Sequence, residues 1–175
     1  MVNKERVQIG VIGDSQIRSK NQYEISYEIG REIARANAIL ICGGRGGVME
    51  ACCRGVQEEG GISVGILPQD VTDPGVNSYL TVRIPTLLNW ARNAIIPLAS
   101  DGVIACGGGV GTLSEISYTG IYGKPLVCIT AIPGWSKEIG EQGLLNDRDG
   151  TPKVITAETG KQAVQKILKV ISRSK

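Results

Sequence analysis

The chain has 175 residues, 42% of them apolar and 21% charged, which suffices for one self-contained globular domain, and no apolar run approaches the roughly 20 residues of a helical membrane span. Its 19 basic and 17 acidic residues give a net charge of +2, too balanced for the many phosphate contacts of a nucleic-acid surface. Histidine is absent, which excludes Ser-His-Asp and Cys-His machinery, an imidazole base and any His-ligated metal.

Short β-branched runs alternate with longer stretches of helical period, which predicts βα units and a mostly parallel sheet. In chain order the expected elements are a strand at 7–12, a helix at 21–35, a strand at 38–42, a helix at 48–59 and a strand at 62–66. Next come a strand at 80–84, a helix at 87–99, a strand at 102–106 and a helix at 113–122. The remainder reads as a strand at 125–129, a poorly defined helix at 136–142, a weak strand at 153–155 and a helix at 161–172. Seven strands fit one doubly wound, Rossmann-like α/β sheet with helices on both faces. No linker, repeat or low-complexity tract interrupts the alternation, so residues 1–175 read as a single domain. The segment PQDVTDPGVNSY at 68–79 reads as a long loop of the kind that borders a site. The helix at 87–99 carries Leu87, Leu88, Trp90, Ala91, Ala94, Ile95 and Leu98 around most of its circumference. That pattern predicts burial against the core or a second subunit, and hence a homo-oligomer, a dimer or tetramer.

Five cysteines, Cys42, Cys52, Cys53, Cys106 and Cys128, form an odd set without a C-x-x-C pair, as expected of buried, reduced thiols in the cytoplasm. The N-terminal residues lack the apolar segment of a secretory signal, which agrees with a cytoplasmic location. Lys161, Lys166, Lys169, Arg173 and Lys175 fit the wet face and C-terminal end of the last helix.

Glycine, with 24 residues, runs at about twice its usual share of about 7% and is clustered at strand ends. Three such loops occur: Gly13-Asp14-Ser15 after the first strand, Gly43-Gly44-Arg45-Gly46-Gly47 after the second, and Gly107-Gly108-Gly109-Val110-Gly111-Thr112 after the fifth. In a parallel sheet ligands bind outside the carboxyl ends of the strands. Glycines there let backbone N–H groups converge on an anion, and the following helix adds its positive end. The loops therefore mark Gly13, Ser15, residues 43–47 and residues 107–112 as candidate contacts for a phosphorylated small molecule, although each also serves as a tight turn. Neither long loop is a P-loop, and Gly13-Asp14-Ser15 is not G-x-G-x-x-G, so nucleoside triphosphate hydrolysis and dinucleotide redox chemistry are disfavoured. No metal site and no required cofactor emerge.

Glu115 lies just inside the helix that opens at the third loop, and Thr112-x-x-Glu115 also reads as a capping box. Arg92 stands out early in the helix before the fifth strand; a surface arginine is the simple alternative to a functional one, and spacing alone does not decide between them. Glu50 sits in a first helical turn, a position that the helix dipole favours for a carboxylate.

Taken in order, GGRGGVME at 43–50, GILP at 65–68, ARN at 91–93 and GGGVGTLSE at 107–115 resemble a Rossmann-like superfamily over residues 6–171. It includes the molybdenum cofactor carrier proteins and the LONELY GUY phosphoribohydrolases, also labelled lysine decarboxylase-like. The carrier-like branch is the more similar, through GGRGGVMEA and ARN. That resemblance implies binding of a phosphorylated ligand, a nucleotide or the pterin-type molybdenum cofactor, held by the glycines and Arg45 without bond cleavage. The alternative it implies is a nucleoside 5′-monophosphate phosphoribohydrolase that releases free base and ribose 5-phosphate. In that reading Gly109, Gly111 and Thr112 hold the phosphate while Arg92 and Glu115 are the catalytic residues at the ribose. Two positions depart from the hydrolase pattern: Gly107 replaces its proline and Asn93 its lysine.

Overall fold

In the computed structural model, which describes residues 6–143 and 154–173, seven strands form one parallel sheet. They are β1 (Gln8–Gly13), β2 (Ile39–Cys42), β3 (Ile62–Leu67), β4 (Val82–Pro85), β5 (Gly102–Cys106), β6 (Leu126–Ile129) and β7 (Val154–Ala157), in the order β4-β3-β2-β1-β5-β6-β7. The helices are α1 (Lys20–Arg35), α2 (Val48–Glu58), α3 (Ile95–Leu98), α4 (Val110–Ile121), α5 (Trp135–Gln142) and α6 (Gly160–Ile171), with a 3₁₀ segment (Asn89–Ala94) before α3. Of the weak strand expected at 153–155, Lys153 lies outside the described residues; β7 occupies the rest.

The inner strands are apolar on both faces because helices cover both, whereas the edge strand β4 is exposed along its length. Ile9, Val11, Leu40, Cys42, Ile104, Cys106, Val127 and Ile129 pack under α1, α2 and α6. Their alternates Ile12, Ile41, Val103, Ala105, Leu126 and Cys128 form a second core with Ile96 and Ile116, against which Ile139 packs. Side-chain caps start two of the helices: Ser19 Oγ accepts the Gln22 N–H at 3.1 Å, and Thr159 Oγ1 accepts the Gln162 N–H at 3.2 Å. All five cysteines are free and buried.

Two expected helices differ. The helix at 87–99 is instead the 3₁₀ segment followed by the single turn α3, after a bend in which Leu87 and Asn89 have φ of +59° and +50°. Pro97 is the reason: inside a continuous helix it would lack an N–H and clash with the preceding turn, whereas the first turn of α3 tolerates it. The helix at 113–122 begins three residues earlier, at Val110, which changes the reading of Glu115.

Candidate functional site

Strand order reverses between β1 and β5, whose chains leave toward opposite edges of the sheet, so a crevice opens outside their carboxyl ends. A cavity of about 480 Å³ lies there. Gly13, Asp14, Ser15 and Arg18 line it from the end of β1 and the loop beyond it, Arg45 and Met49 from the second glycine loop and α2, Trp90, Arg92 and Asn93 from the 3₁₀ segment, and Gly109, Gly111, Thr112 and Glu115 from the start of α4.

The third glycine loop divides its backbone donors into two sets. The Gly107 N–H donates to Ser136 Oγ at 2.7 Å and the Gly108 N–H to Asp14 Oδ2 at 2.8 Å. Gly107 and Gly108, expected to hold the ligand, are therefore engaged within the protein and do not line the cavity. The N–H groups of Gly109, Val110, Gly111 and Thr112 have no protein acceptor among the described residues. Gly109 is the N-cap of α4 and supplies no side-chain cap, so these four donors sit uncapped at the positive end of a twelve-residue helix. The Val110 side chain points away, 79% exposed. Gly107 has φ +67°, a conformation proline cannot adopt, and proline would also lack the N–H that Ser136 receives.

Glu115 does not cap α4. Because the helix starts at Val110, Thr112 is its third residue and Glu115 lies in the second turn, and no capping box forms. Its Oε1 instead accepts a hydrogen bond from Arg92 Nη1 at 3.1 Å, with the residues only 6% and 5% exposed. Arg92 is thus no surface arginine. Nη1 also donates to Asn93 Oδ1 at 2.9 Å and Nη2 to the Gly43 carbonyl at 3.4 Å, while the buried Nε has no partner among the described residues. Burial outweighs the attraction of Arg92 and pushes the Glu115 carboxyl up to about 7, and it lowers the Arg92 guanidinium from its ordinary value. A carboxyl near neutrality in a lined cavity is the kind of group that transfers protons. Gly43 makes the contact possible: a Cβ there would stand 2.5 Å from Arg92 Nη2. Asn93 Nδ2 donates to Ser114 Oγ at 2.8 Å and to the Gly111 carbonyl at 3.4 Å, so it ties the 3₁₀ segment to the first turn of α4.

The second glycine loop is held from outside. Arg45 Nη1 contacts Asp73 Oδ2 at 2.6 Å, and Asn77 donates its Nδ2–H to the Arg45 carbonyl and its backbone N–H to the Gly44 carbonyl, so the long loop expected at 68–79 does border the site. Of this motif only Arg45 lines the main cavity. Gly46 lines an adjoining cavity of about 380 Å³, which Ser15, Arg45 and Glu50 also line. Gly43, Gly44 and Gly47 line neither and serve packing and turn geometry instead. Glu50 opens α2 as its sequence position suggested, but it lies outside the cavity that holds Glu115.

Asp14, Arg18, Met49, Trp90 and Asn93 line the cavity without being legible from sequence as ligand contacts. An acidic residue at the carboxyl end of the central strand is the signal that could have found Asp14; the others carry none. Among the described residues no cluster of three Cys, Asp or Glu side chains suits a metal ion, and no helix is long and apolar enough to cross a membrane.

A doubly wound parallel sheet with a cavity at the switch point defines a Rossmann-like α/β fold. The chain belongs to the SLOG cluster4 family, whose model matches residues 6–164. An uncharacterized protein of Archaeoglobus fulgidus is 44% identical over 111 residues, 63% of this chain and 72% of that one. A cytokinin riboside 5′-monophosphate phosphoribohydrolase of Rhodococcoides fascians is 30% identical over 61% of this chain, a segment spanning 58% of the enzyme. Among solved structures, the molybdenum cofactor binding protein of Rippkaea orientalis superposes with a TM-score of 0.83 at 31% identity, covering 97% of this chain and 99% of that one. The molybdenum cofactor carrier protein of Chlamydomonas reinhardtii does so with a TM-score of 0.79 at 27% identity, covering 96% and 99%.

Proposed function

We propose that the cavity binds a phosphorylated small molecule, a nucleotide or a pterin-type molybdenum cofactor, and that the protein carries this ligand without cleaving it. The observation that carries the reading is the set of four uncapped N–H donors from Gly109 to Thr112 at the head of α4. A phosphate oxygen is the natural acceptor for such donors. Arg92, a buried cation lining the same cavity, adds positive charge to it. Without a cluster of metal-ligating side chains among the described residues, the protein's hold on a molybdenum cofactor would be on its phosphate, with the metal carried by the cofactor's own atoms. The carrier proteins that superpose over nearly their whole length support the same reading.

One observation favours a second reading, N-glycosidic hydrolysis of nucleoside 5′-monophosphates. Glu115 is free of any capping role and is held near neutrality beside Arg92, fit to stabilise a cationic ribose or take a proton. Against it, Asp14 is the one other carboxylate lining the cavity among the described residues, and both its oxygens are engaged in hydrogen bonds. Gly107 also takes a conformation closed to the proline of the hydrolase pattern. Purified protein incubated with AMP, GMP, CMP and UMP and assayed for free base and ribose 5-phosphate, beside native mass spectrometry for a retained ligand, separates the two. Base release would establish the hydrolase, and a retained phosphorylated ligand without turnover the carrier.

The protein is further proposed to be a homo-oligomer. Helix α4 buries Thr112, Glu115, Ile116 and Thr119 and exposes Val110 and Ile121, Trp90 lies beside Gly111 of the same helix and is 77% exposed, and Leu87 and Leu98 are exposed as well. Exposed apolar side chains so grouped fit a second copy of the chain better than water. Light scattering at micromolar concentration is expected to give a dimer or tetramer mass, and a monomer would refute it.

A further inference from the structure

We propose that Arg18 is a second phosphate-recognising group of the cavity, and that Asp14 is the positioning residue that aims it and the third glycine loop at the same anion. The inference rests on the phosphorylated-ligand reading above. Among the described residues three arginines line the cavity, and two are engaged: Arg92 donates through both terminal nitrogens, to Glu115, Asn93 and Gly43, and Arg45 through Nη1 to Asp73. Arg18 alone has both terminal nitrogens without a protein acceptor among the described residues, and its side chain is 76% exposed. It is nevertheless held. Its Nε donates to Asp14 Oδ1 at 3.1 Å and its backbone N–H to Gln22 Oε1 at 2.8 Å.

Asp14 is the hub of this arrangement. Its Oδ2 accepts the Gly108 N–H at 2.8 Å and Gln22 Nε2 at 2.7 Å. One buried carboxylate therefore fixes both the residue before Gly109, where the free donors begin, and the root of the Arg18 guanidinium. Its charge is directed into these contacts, and the two terminal nitrogens of Arg18 remain for a ligand. A phosphomonoester presents three terminal oxygens, more than donors from one helix end can meet from one side, and a guanidinium fork supplies the complementary pair. Arg92, which lines the same cavity, has a buried Nε without a partner among the described residues. The arrangement selects a terminal monoester phosphate over a diester, which has only two free oxygens and a single charge.

The test is titration of wild-type protein and the Arg18→Gln, Arg18→Lys, Asp14→Asn and Asp14→Asn/Arg18→Gln variants with AMP, 3′,5′-cyclic AMP and inorganic phosphate, monitored by ³¹P NMR and calorimetry. Arg18→Gln is an exposed change that leaves the fold intact. It is expected to weaken AMP and phosphate on the order of tenfold, the worth of a charged hydrogen-bond pair, and to leave cyclic AMP within about twofold. Arg18→Lys should recover only part of the loss, because an ammonium lacks the fork. Asp14→Asn should weaken AMP more in the wild-type background than when Arg18 is already Gln, where only the part routed through the Gly108 N–H is left to lose, a coupling that a merely structural aspartate would not give. Equal AMP affinity in wild type and Arg18→Gln overturns the proposal and leaves the phosphate reading standing. Additive losses for the Asp14 and Arg18 changes overturn the positioning role. Wild-type protein that binds neither AMP nor phosphate at millimolar concentration overturns both this proposal and the reading beneath it.

Discussion

Glu115→Gln keeps the shape of a side chain while removing its charge, and the burial of the Arg92–Glu115 pair sets the consequence for stability. The Glu115 carboxyl is raised from 4.5 to about 7 in the folded protein because desolvation exceeds the attraction of Arg92. A raised folded value means that the native state holds a proton which the unfolded chain has lost between those pH values, so stability falls as pH rises from about 4.5 through about 7. At about 1.4 kcal/mol for each pH unit between the two values, the loss is on the order of 3 kcal/mol by pH 8. Glutamine does not titrate. Near pH 5 the variant should match wild type, and at pH 8 it should be the more stable by up to this amount, roughly 6–12 °C in Tm for a chain of this size. Urea denaturation of both proteins at pH 5, 6, 7 and 8 measures it directly. A variant several kcal/mol weaker than wild type at pH 8 would overturn this expectation, because it would mean that the ion pair is net stabilising, as when breaking a buried pair leaves a charge stranded. The same protein reports on function: if Glu115 acts on a ribose, turnover falls by about 10² or more while the fold holds, and if the protein is a carrier, ligand affinity changes little.

Gly43→Ala brings a Cβ within 2.5 Å of Arg92 Nη2, so the guanidinium must move; ligand affinity is expected to drop at least tenfold with the sheet intact, as checked by calorimetry and circular dichroism. Gly107→Pro combines a forbidden φ with loss of the hydrogen bond to Ser136, and a destabilisation of about 3 kcal/mol or more is expected by urea denaturation. The five free cysteines are buried, so the native protein should resist a thiol-specific disulfide reagent for as long as it stays folded and react fully once unfolded; a rapid stoichiometric thiol in the native state would contradict the burial.

The alternation of strands and helices was legible because parallel strands buried on both faces read as short apolar runs, as in ILIC at β2 and GVIAC at β5. The three glycine loops were legible as landmarks, and the structure brings part of each to one crevice. Two features at the site were not. The start of α4 was misplaced because sequence rules seek a side-chain cap and found Thr112, whereas Gly109 caps the helix with backbone alone and leaves its donors free. From that error came the capping box, which hid the contact between Glu115 and Arg92, residues 23 positions apart and joined only by tertiary packing. Arg18 and Asp14 escaped for the same reason: Asp14 meets Gly108 across 94 positions, a pairing no local pattern encodes. The broken segment at 89–98 carried its own warning in Pro97.

A phosphate seated on the uncapped start of α4 underlies both the carrier reading and the role given to Arg18. A crystal of the protein grown with AMP, or soaked in it, tests this most directly. Phosphate oxygens are expected within hydrogen-bond distance of the N–H groups of Gly109 to Thr112, with Arg18 turned onto the same group. Phosphate bound elsewhere, or AMP seated in the cavity with its phosphate pointing away from these donors, would contradict it.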